Sequence, residues 1–257
     1  MGDCQYMTMR YGFMTPELKW LNPIYAYEFW DWEVMNKVYD TLIKNDPYHK
    51  WHPDLPQEIP WLAKNWTIGN WTHPRDGYTG TKLTFSLRTS VMWHDGIPFC
   101  SEDVKFTLVD LPQFLEKHGF PKPRWHMKVK QILYVHTPDP CNVEVYFTNE
   151  SMWGLHWIGE LKILPKHIWK PILEGVVETF WSMGDVNRDG YINQTDIERI
   201  QNAFGSKPGD ANWNPDADLN KDLIINNTDL MICAGNQGLD IWTYYYPMSF
   251  MPDPSLN

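Results

Sequence analysis

The chain has 257 residues, of which 43% are hydrophobic and 15% aromatic, and it carries a formal net charge of −10 at pH 7. This length and hydrophobic content predict one or two globular domains with substantial cores. The sequence pI is near 5.3 and no dense run of Lys or Arg occurs, which argues against nucleic acid as a partner. No apolar run reaches the roughly 18 residues that a membrane-spanning helix needs.

Composition also bears on where the protein works. Fifteen tryptophans are typical of extracellular proteins that bind peptides or sugars through their aromatic rings, although most of these rings are expected to fill cores. The four cysteines show no CxxC spacing, so neither a zinc site nor a redox pair is indicated. The first six residues contain neither a basic start nor an apolar stretch, so we expect an exported protein whose signal segment is absent from this chain.

The first clearly predicted elements lie between residues 81 and 112. Apolar and polar residues alternate over 81–88, which indicates a half-buried strand. A turn is expected at Asp95-Gly96, and a helix capped by Ser101 is expected to continue until Pro112. His94 and Asp95 are adjacent on a turn, where side chains point in different directions, so an acid–base pair is not predicted. No nucleophile–base pair or carboxylate dyad stands out elsewhere, and we do not predict an enzyme.

A β-hairpin is the next predicted element. Ile132-Tyr134-His136 and Val143-Val145-Phe147 occupy alternating positions on either side of Thr137-Pro138-Asp139-Pro140. Period-two alternation that flanks a proline-containing turn is the usual pattern of two paired strands.

Two twelve-residue segments, 185–196 and 218–229, repeat one pattern of oxygen-bearing side chains. Each has Asp or Asn at positions 1, 3, 5, 9 and 12, and position 7 would contribute its backbone carbonyl. Hard cations such as calcium take six to eight oxygen ligands, and this EF-hand-like spacing wraps a short loop around one ion. The predicted ligands are Asp185, Asn187, Asp189, Tyr191, Asn193 and Asp196 in the first loop, and Asp218, Asn220, Asp222, Ile224, Asn226 and Asp229 in the second.

The two loops are not expected to bind calcium equally well. Gly190 lies at position 6 of the first loop, where the chain turns sharply and a positive φ is easiest. Leu223 takes that position in the second loop, and a Cβ in a left-handed conformation costs on the order of 1 kcal/mol. We therefore predict two Ca²⁺ sites, of which the second is the weaker.

A short helix is predicted after each loop. Ile197, Ile200 and Phe204 share one helical face after the first loop, and Leu230 and Cys233 occupy the corresponding places after the second. Two loop–helix units contain little core, so cation binding is expected to contribute much of their folding free energy. Residues 184–238 hold nine Asp or Glu and four Lys or Arg, an excess of carboxylates that a bound cation would explain.

Residues 184–238 resemble a type I dockerin. The resemblance lies in Gly184-Asp185-Val186-Asn187-x-Asp189-Gly190, in the linker Phe204–Asp210, and in Trp213-Asn214-Pro215-x-Ala217-Asp218-Leu219-Asn220. It implies one calcium ion per loop and a module that either docks onto a cohesin domain or packs within its own protein. The recognition positions that the resemblance implies are Gln194, Thr195, Asn227 and Thr228; these pairs differ from the usual partner signatures, so both alternatives stay open.

A second resemblance covers about residues 10–175. The segment from Leu83-Thr84-Phe85-Ser86-Leu87 through Trp93-His94-Asp95-Gly96-x-Pro98-Phe99 to Ser101-Glu102-Asp103-Val104 is similar to the family 5 extracellular solute-binding proteins of ABC transporters. Further landmarks occur in the family's order at Val38–Leu42, Pro60–Trp66 and Ile163–Trp169. The resemblance implies a mixed α/β lobe that helps to form a ligand cleft, with a transmembrane permease as partner.

These resemblances divide the chain into three parts. Residues 1–181 form a partial solute-binding lobe, 184–238 a small all-α, calcium-binding dockerin-like module, and 239–257 a segment that returns to the lobe. The apolar stretch Trp242–Pro247 fits such a return, so the module is interpreted as an insert. Family members are about twice as long, and we expect the chain to be truncated.

Two functions follow from this organisation. The first is an extracellular component of an ABC importer that binds a peptide or other small solute, with Trp30 and Trp32 as candidates for ligand contact. The second is a cell-surface or scaffold-assembly protein that docks to a cohesin and binds polysaccharide. Both place the protein outside the cell or on its surface.

Overall fold

The computed structural model describes residues 22–26, 29–50 and 57–248. Over these residues, helices and two antiparallel sheets pack around one continuous hydrophobic core, so the predicted mixed α/β class is confirmed. No helix in the described ranges is long and apolar enough to cross a membrane.

The helices and strands follow one another in chain order. The strands are β1 (Ile43–Asn45), β2 (Glu58–Pro60), β3 (Ala63–Thr72), β4 (Thr79–Leu87), β5 (Ile132–Asp139) and β6 (Asn142–Phe147). The α-helices are α1 (Phe29–Val38), α2 (Ser101–Lys105), α3 (Leu111–Lys117), α4 (His126–Val129), α5 (Gly154–Gly159), α6 (Lys166–Ser182), α7 (Gln194–Asn202), α8 (Asn227–Gly235) and α9 (Ile241–Met248).

A four-stranded antiparallel sheet with the order β3-β4-β6-β5 forms one side of the core. Leu83 pairs with Val145 and Phe85 with Val143, and all four side chains are fully buried. The strand predicted over 81–88 and the predicted hairpin are therefore confirmed. The alternation of apolar and polar residues predicted these strands correctly because one face of the sheet is buried and the other is in contact with solvent.

The cap of α2 differs from the prediction. Cys100, not Ser101, is the N-cap residue, and it forms a capping box with Asp103. The Ser101 hydroxyl instead donates to the Asp139 carbonyl at 2.7 Å. The prediction was wrong by one residue because a tertiary contact with the end of β5 takes the hydroxyl that would otherwise cap the helix.

The helix also does not end before Pro112. A π-helical segment, Phe106–Asp110, continues α2 directly into α3. Pro112 is the second residue of α3 and cannot donate the backbone hydrogen bond that would continue the helix; the π-helical turn lies immediately before it. The apolar face of this long helical segment is buried, with Leu108, Leu111 and Leu115 at most 2% exposed.

Residues 184–238, here called the loop segment, contain α7 and α8. Ile200 and Cys233 are fully buried, as the helix prediction requires. Phe204 is 46% exposed because α7 ends at Asn202, so its assignment to the helix face was wrong. The buried side chains of the loop segment belong to the same hydrophobic core as those of the preceding lobe, and the structure does not separate a distinct all-α module from it.

Candidate functional site

The first loop is closed by the carboxylates at its two ends. Asp185 is 1% exposed and accepts backbone N–H groups of Asp189 and Gly190 at 3.1 and 3.0 Å. Asp196 is fully buried and accepts the N–H of Asn193 at 2.9 Å. Positions 1 and 12 of the predicted calcium loop therefore face its interior.

The second loop repeats the same hydrogen bonds. Asp218 accepts the N–H groups of Asp222 and Leu223 at 3.1 and 3.0 Å, and Asp229 accepts that of Asn226 at 2.9 Å. This equivalence shows that two segments with similar spacing, but with different residues at position 6, adopt one loop conformation.

Backbone dihedral angles agree with this equivalence. Positions 4 and 6 have positive φ in both loops: Arg188 at 58° and Gly190 at 87°, then Lys221 at 59° and Leu223 at 68°. Leu223 is therefore in the left-handed conformation that the sequence predicted, and that conformation is costly for a residue with a Cβ.

Three carboxylates, those of Asp185, Asp189 and Asp196, lie close together in the first loop and affect one another's charge. Burial raises the pKa of Asp185 to about 6, and the carboxylates of Asp196 and Asp189 add to this increase. Arg188, the nearest cation in sequence, is directed outward to Glu178 and Asp216 at 3.5 and 3.4 Å. Negative charge within the loop is thus not neutralised by that side chain.

The described residues fit a cation only in part. Oxygens of carboxylate and amide groups are the ligands that calcium prefers, and the buried ends of both loops supply them. However, no group of three or more His, Cys, Asp or Glu side chains within the described residues is arranged to hold a metal ion. The amide nitrogens of Asn187 and Asn220 instead donate to Asp189 and Asp222 at 2.8 and 2.9 Å. Calcium binding therefore stays a prediction.

The residues at position 9 have a structural role that the sequence reasoning missed. Asn193 and Asn226 are the N-cap residues of α7 and α8, and each forms a capping box with the aspartate three residues later. The Asn-x-x-Asp spacing that precedes each helix is the signal that could have revealed these caps. At position 7, the Ile224 carbonyl accepts from the Asn226 amide at 3.1 Å, and Tyr191 forms a β-bridge with Asp240.

The four predicted partner-binding residues all lie in the first turns of helices. Gln194 and Thr195 begin α7, Asn227 and Thr228 begin α8, and all four are exposed. Their accessibility is compatible with contact to another protein, and within the described residues nothing covers them.

The loop segment packs directly on the lobe through both of its loops. His118 Nδ1 lies 3.0 Å from the Arg188 carbonyl oxygen. The indole of Trp181, at the end of α6, donates to the Asp216 carbonyl at 2.9 Å, and its ring faces the Lys221 ammonium at 5.1 Å. Both loops are thereby in contact with the preceding part of the chain.

A separate cavity of about 220 Å³ opens next to α1. Trp32 lines it, whereas the side chain of Trp30 lies outside the described residues, so ligand contact by these two residues stays a prediction. The six lining residues with charged or aromatic side chains are Trp32, Arg124, Trp125, Lys128, Glu160 and Lys162.

Comparison with known proteins identifies the family. Residues 57–216 match the bacterial extracellular solute-binding proteins, family 5 Middle. Because this match covers more than half of the chain, the protein belongs to that family. The matched range includes the first loop and ends just before the second, so it does not separate the loop segment from the lobe.

Several solved structures are similar to part of the chain. NikZ from Campylobacter jejuni, in complex with Ni(L-His), is 24% identical over 60% of this chain and 27% of its own, with a TM-score of 0.43. AppA from Bacillus subtilis, in complex with a nonapeptide, is 20% identical over 61% and 27%, with a TM-score of 0.45. The substrate-binding domain of an oligopeptide ABC transporter from Bacillus anthracis is 16% identical over 60% and 29%, with a TM-score of 0.46.

The chain spans less than a third of the length of these three structures. No curated protein matches it.

Proposed function

We propose that the chain is part of the extracellular solute-binding component of an ABC importer and that it binds a peptide or another small solute. Membership of family 5, whose members are described as extracellular solute-binding proteins, is the observation that carries this proposal. The partner would be a transmembrane permease, and the protein would act outside the cell without catalysing a reaction.

Binding of short peptides to the full-length gene product tests the solute proposal. We expect a subset of a short-peptide library to raise the melting temperature and to give saturable heats in calorimetry. Trp32→Leu should weaken this binding, because the indole lines the cavity beside α1. Trp213→Leu, a change in the loop segment, serves as the control. The proposal is wrong if neither peptides nor other small solutes bind to the full-length product.

Within the same protein, we propose that the loop segment is a dockerin-like insert that binds two calcium ions, the second more weakly. The support is the repeated loop conformation, the buried carboxylates at both ends of each loop, and the raised pKa of Asp185. Asp185, Asp189 and Asp196 with Asn187 and the Tyr191 carbonyl would hold one ion. The second loop would use the equivalent positions, and the ions would neutralise charge within the loops.

Calorimetric titration with Ca²⁺ tests this part of the proposal. Asp185→Asn and Asp218→Asn keep the size of the side chain but remove one charge from each loop, so each variant should lose one binding event. Glu198→Gln removes an exposed charge from α7 and should leave both events unchanged. Two equally tight sites in the unmodified chain would contradict the predicted weakness of the second.

The same proposal includes a cohesin domain as the partner that would contact the exposed first turns of α7 and α8. A pull-down on immobilised cohesins tests it, with Thr195→Asp and Thr228→Asp as variants that place a charge in each proposed contact. If no cohesin retains the chain, the alternative that the segment packs within its own protein is favoured.

A further inference from the structure

The cavity beside α1 has an unusual balance of charge. Three cationic side chains line it, those of Arg124, Lys128 and Lys162, against a single carboxylate, that of Glu160. Glu160 already has other contacts, because its Oε1 accepts from the Asn45 amide at 2.6 Å and lies 3.6 Å from His156 Nδ1. Even with Arg124 left aside, the two lysines outnumber the one carboxylate of the lining.

Lys162 is the cation that this environment stabilises least. Its side chain is half-buried, and its ammonium lies 4.2 Å from the centre of the Trp32 ring. In the described part of the chain, it forms no ion pair with a carboxylate. Burial lowers the pKa of Lys162 to about 8, and repulsion from Lys128 and Lys44 outweighs attraction by Glu33. A charge that is desolvated without a partner is costly, so an anion placed here would gain strong electrostatic stabilisation.

The apolar part of the lining limits what kind of anion fits. Trp32 and Trp125 line the cavity beside the ammonium groups, although Trp125 is only 7% exposed. Aromatic rings pack on the aliphatic or aromatic body of a ligand. The cavity volume of about 220 Å³ is below that of pockets for drug-sized ligands, which hold roughly 300–1,000 Å³. A small molecule, or one end of a longer molecule, is the appropriate size.

We propose that this cavity is a carboxylate-binding site, in which Lys162 and Lys128 bind the carboxylate of a small organic acid while Trp32 and Trp125 contact its apolar body. This inference rests on the proposed function, since it names the chemical class of solute that the lobe would capture. A free acid and the carboxyl end of a peptide present the same chemistry to these residues.

A pair of probes that differ only in charge tests the proposal. N-acetyl-leucine has a carboxylate and N-acetyl-leucinamide does not, whereas their apolar bodies are the same. We expect calorimetry to detect saturable binding of the acid to the unmodified chain and at least about tenfold weaker binding of the amide. Inorganic phosphate is a third probe, and we expect it to bind more weakly than the acid because it has no apolar body.

Two lysine variants test whether the acid binds in this cavity. Lys162→Met keeps the length of the side chain and removes its charge, so it should weaken binding of the acid by about tenfold or more. It should not lower the melting temperature, because burial disfavours the charged form of this ammonium more than its contact with the Trp32 ring favours it, and this readout shows that the variant is folded. Lys170→Met removes an exposed lysine from α6 and should leave binding unchanged.

The outcomes separate this inference from the proposed function. Equal binding of acid and amide, no binding of either, or full binding by Lys162→Met would overturn the carboxylate site. If peptides bind the full-length product with no preference for a free carboxyl end, the importer proposal stands and this inference fails. If the acid binds at Lys162 while no peptide binds, capture of peptides fails as the proposed function and the carboxylate site stands.

Discussion

At the scale of single residues, two glycines lie where the first loop contacts the lobe. A Cβ on Gly119 would overlap the Asp189 carbonyl oxygen and would lie 3.2 Å from the Gly190 Cα. A Cβ on Gly190 would overlap the His118 carbonyl oxygen in the same way. Backbone therefore touches backbone at this contact, and no side chain larger than hydrogen fits.

Substitution of Gly119 by alanine should be strongly destabilising for this reason. Gly119 and Gly77 both have φ of 70°, but a Cβ on Gly77 would meet no atom within 4 Å. Gly119→Ala should therefore lower the free energy of unfolding by about 1–3 kcal/mol more than Gly77→Ala, which carries the backbone strain alone. Urea denaturation of the two variants measures this difference, and equal losses would show that the first loop is not packed against this turn.

At Leu223, by contrast, replacement by glycine should stabilise the protein, because the backbone of Leu223 is strained and its side chain makes few packing contacts. Its φ is 68° and it is 59% exposed. Leu223→Gly should raise the free energy of unfolding in excess calcium by up to about 1 kcal/mol, after the greater flexibility of glycine in the unfolded chain offsets part of the gain. Leu223→Ala keeps the Cβ and should not share the gain. The explanation by strain is wrong if both variants have the same stability in urea.

At the scale of elements, a pair of charges links β4 to β6 on the solvent face of the sheet. Lys82 Nζ lies 2.7 Å from Glu144 Oε1, and the Tyr146 hydroxyl donates to Glu144 Oε2 at 2.7 Å. The hydrogen bond from Lys82 is the main reason that the pKa of Glu144 falls from 4.5 to about 2. Both side chains are less than a third exposed, so solvent screens this pair less than a fully exposed one.

The stability of the sheet should therefore depend on pH in a defined window. Because the folded-state pKa of Glu144 is below its ordinary value, the contribution is complete above pH 4.5 and is lost as the pH falls toward about 2. Glu144→Gln should cost on the order of 1 kcal/mol at neutral pH, and this cost should shrink across that window. Chemical denaturation at several pH values measures it.

A double-mutant cycle with Lys82→Met provides the control for that window. If the lysine is the main cause, Glu144→Gln should have a smaller effect, with a weaker dependence on pH, in the Lys82→Met background. A pH dependence that is unchanged in that background would assign the low pKa to the contacts of Glu144 with the Tyr146 hydroxyl and His136 Nδ1 and not to the ammonium.

At the scale of the whole molecule, calcium should stabilise more than the loops themselves. The loop segment shares one hydrophobic core with the lobe, and α9 follows it and packs against α6, where the Phe180 and Tyr244 rings lie 5.9 Å apart. A ligand that binds only the folded state adds about 2.7 kcal/mol at one hundred times its dissociation constant. Chelation of calcium should therefore lower the melting temperature of the chain in a single transition.

Differential scanning calorimetry with calcium and with EDTA checks this expectation. Asp185→Asn should show a smaller response to EDTA than the unmodified chain, whereas Glu198→Gln should show the same response. Two separate transitions, of which only one moves on chelation, would mean that the loop segment unfolds independently and that the shared core does not couple it to the lobe.

Much of this architecture could be predicted from the sequence because it depends on local patterns. The alternation over 81–88 and the hairpin at 132–147 specified their strands, since a sheet with one buried face imposes a period of two. The spacing of Asp and Asn in 185–196 and 218–229 likewise predicted two similar loops, because short polar side chains hydrogen-bond to nearby backbone N–H groups.

Other features were decided only when distant segments met. Ser101 lost its predicted role as a cap because its hydroxyl bonds to the end of β5. The cavity at Lys162 and the glycine contact at Gly119 join residues that are far apart in the chain. Local hydrogen bonding and side-chain alternation are encoded within a few residues, whereas burial, desolvation of charge and close approach of backbones depend on which segments pack together, and only the tertiary structure determined these.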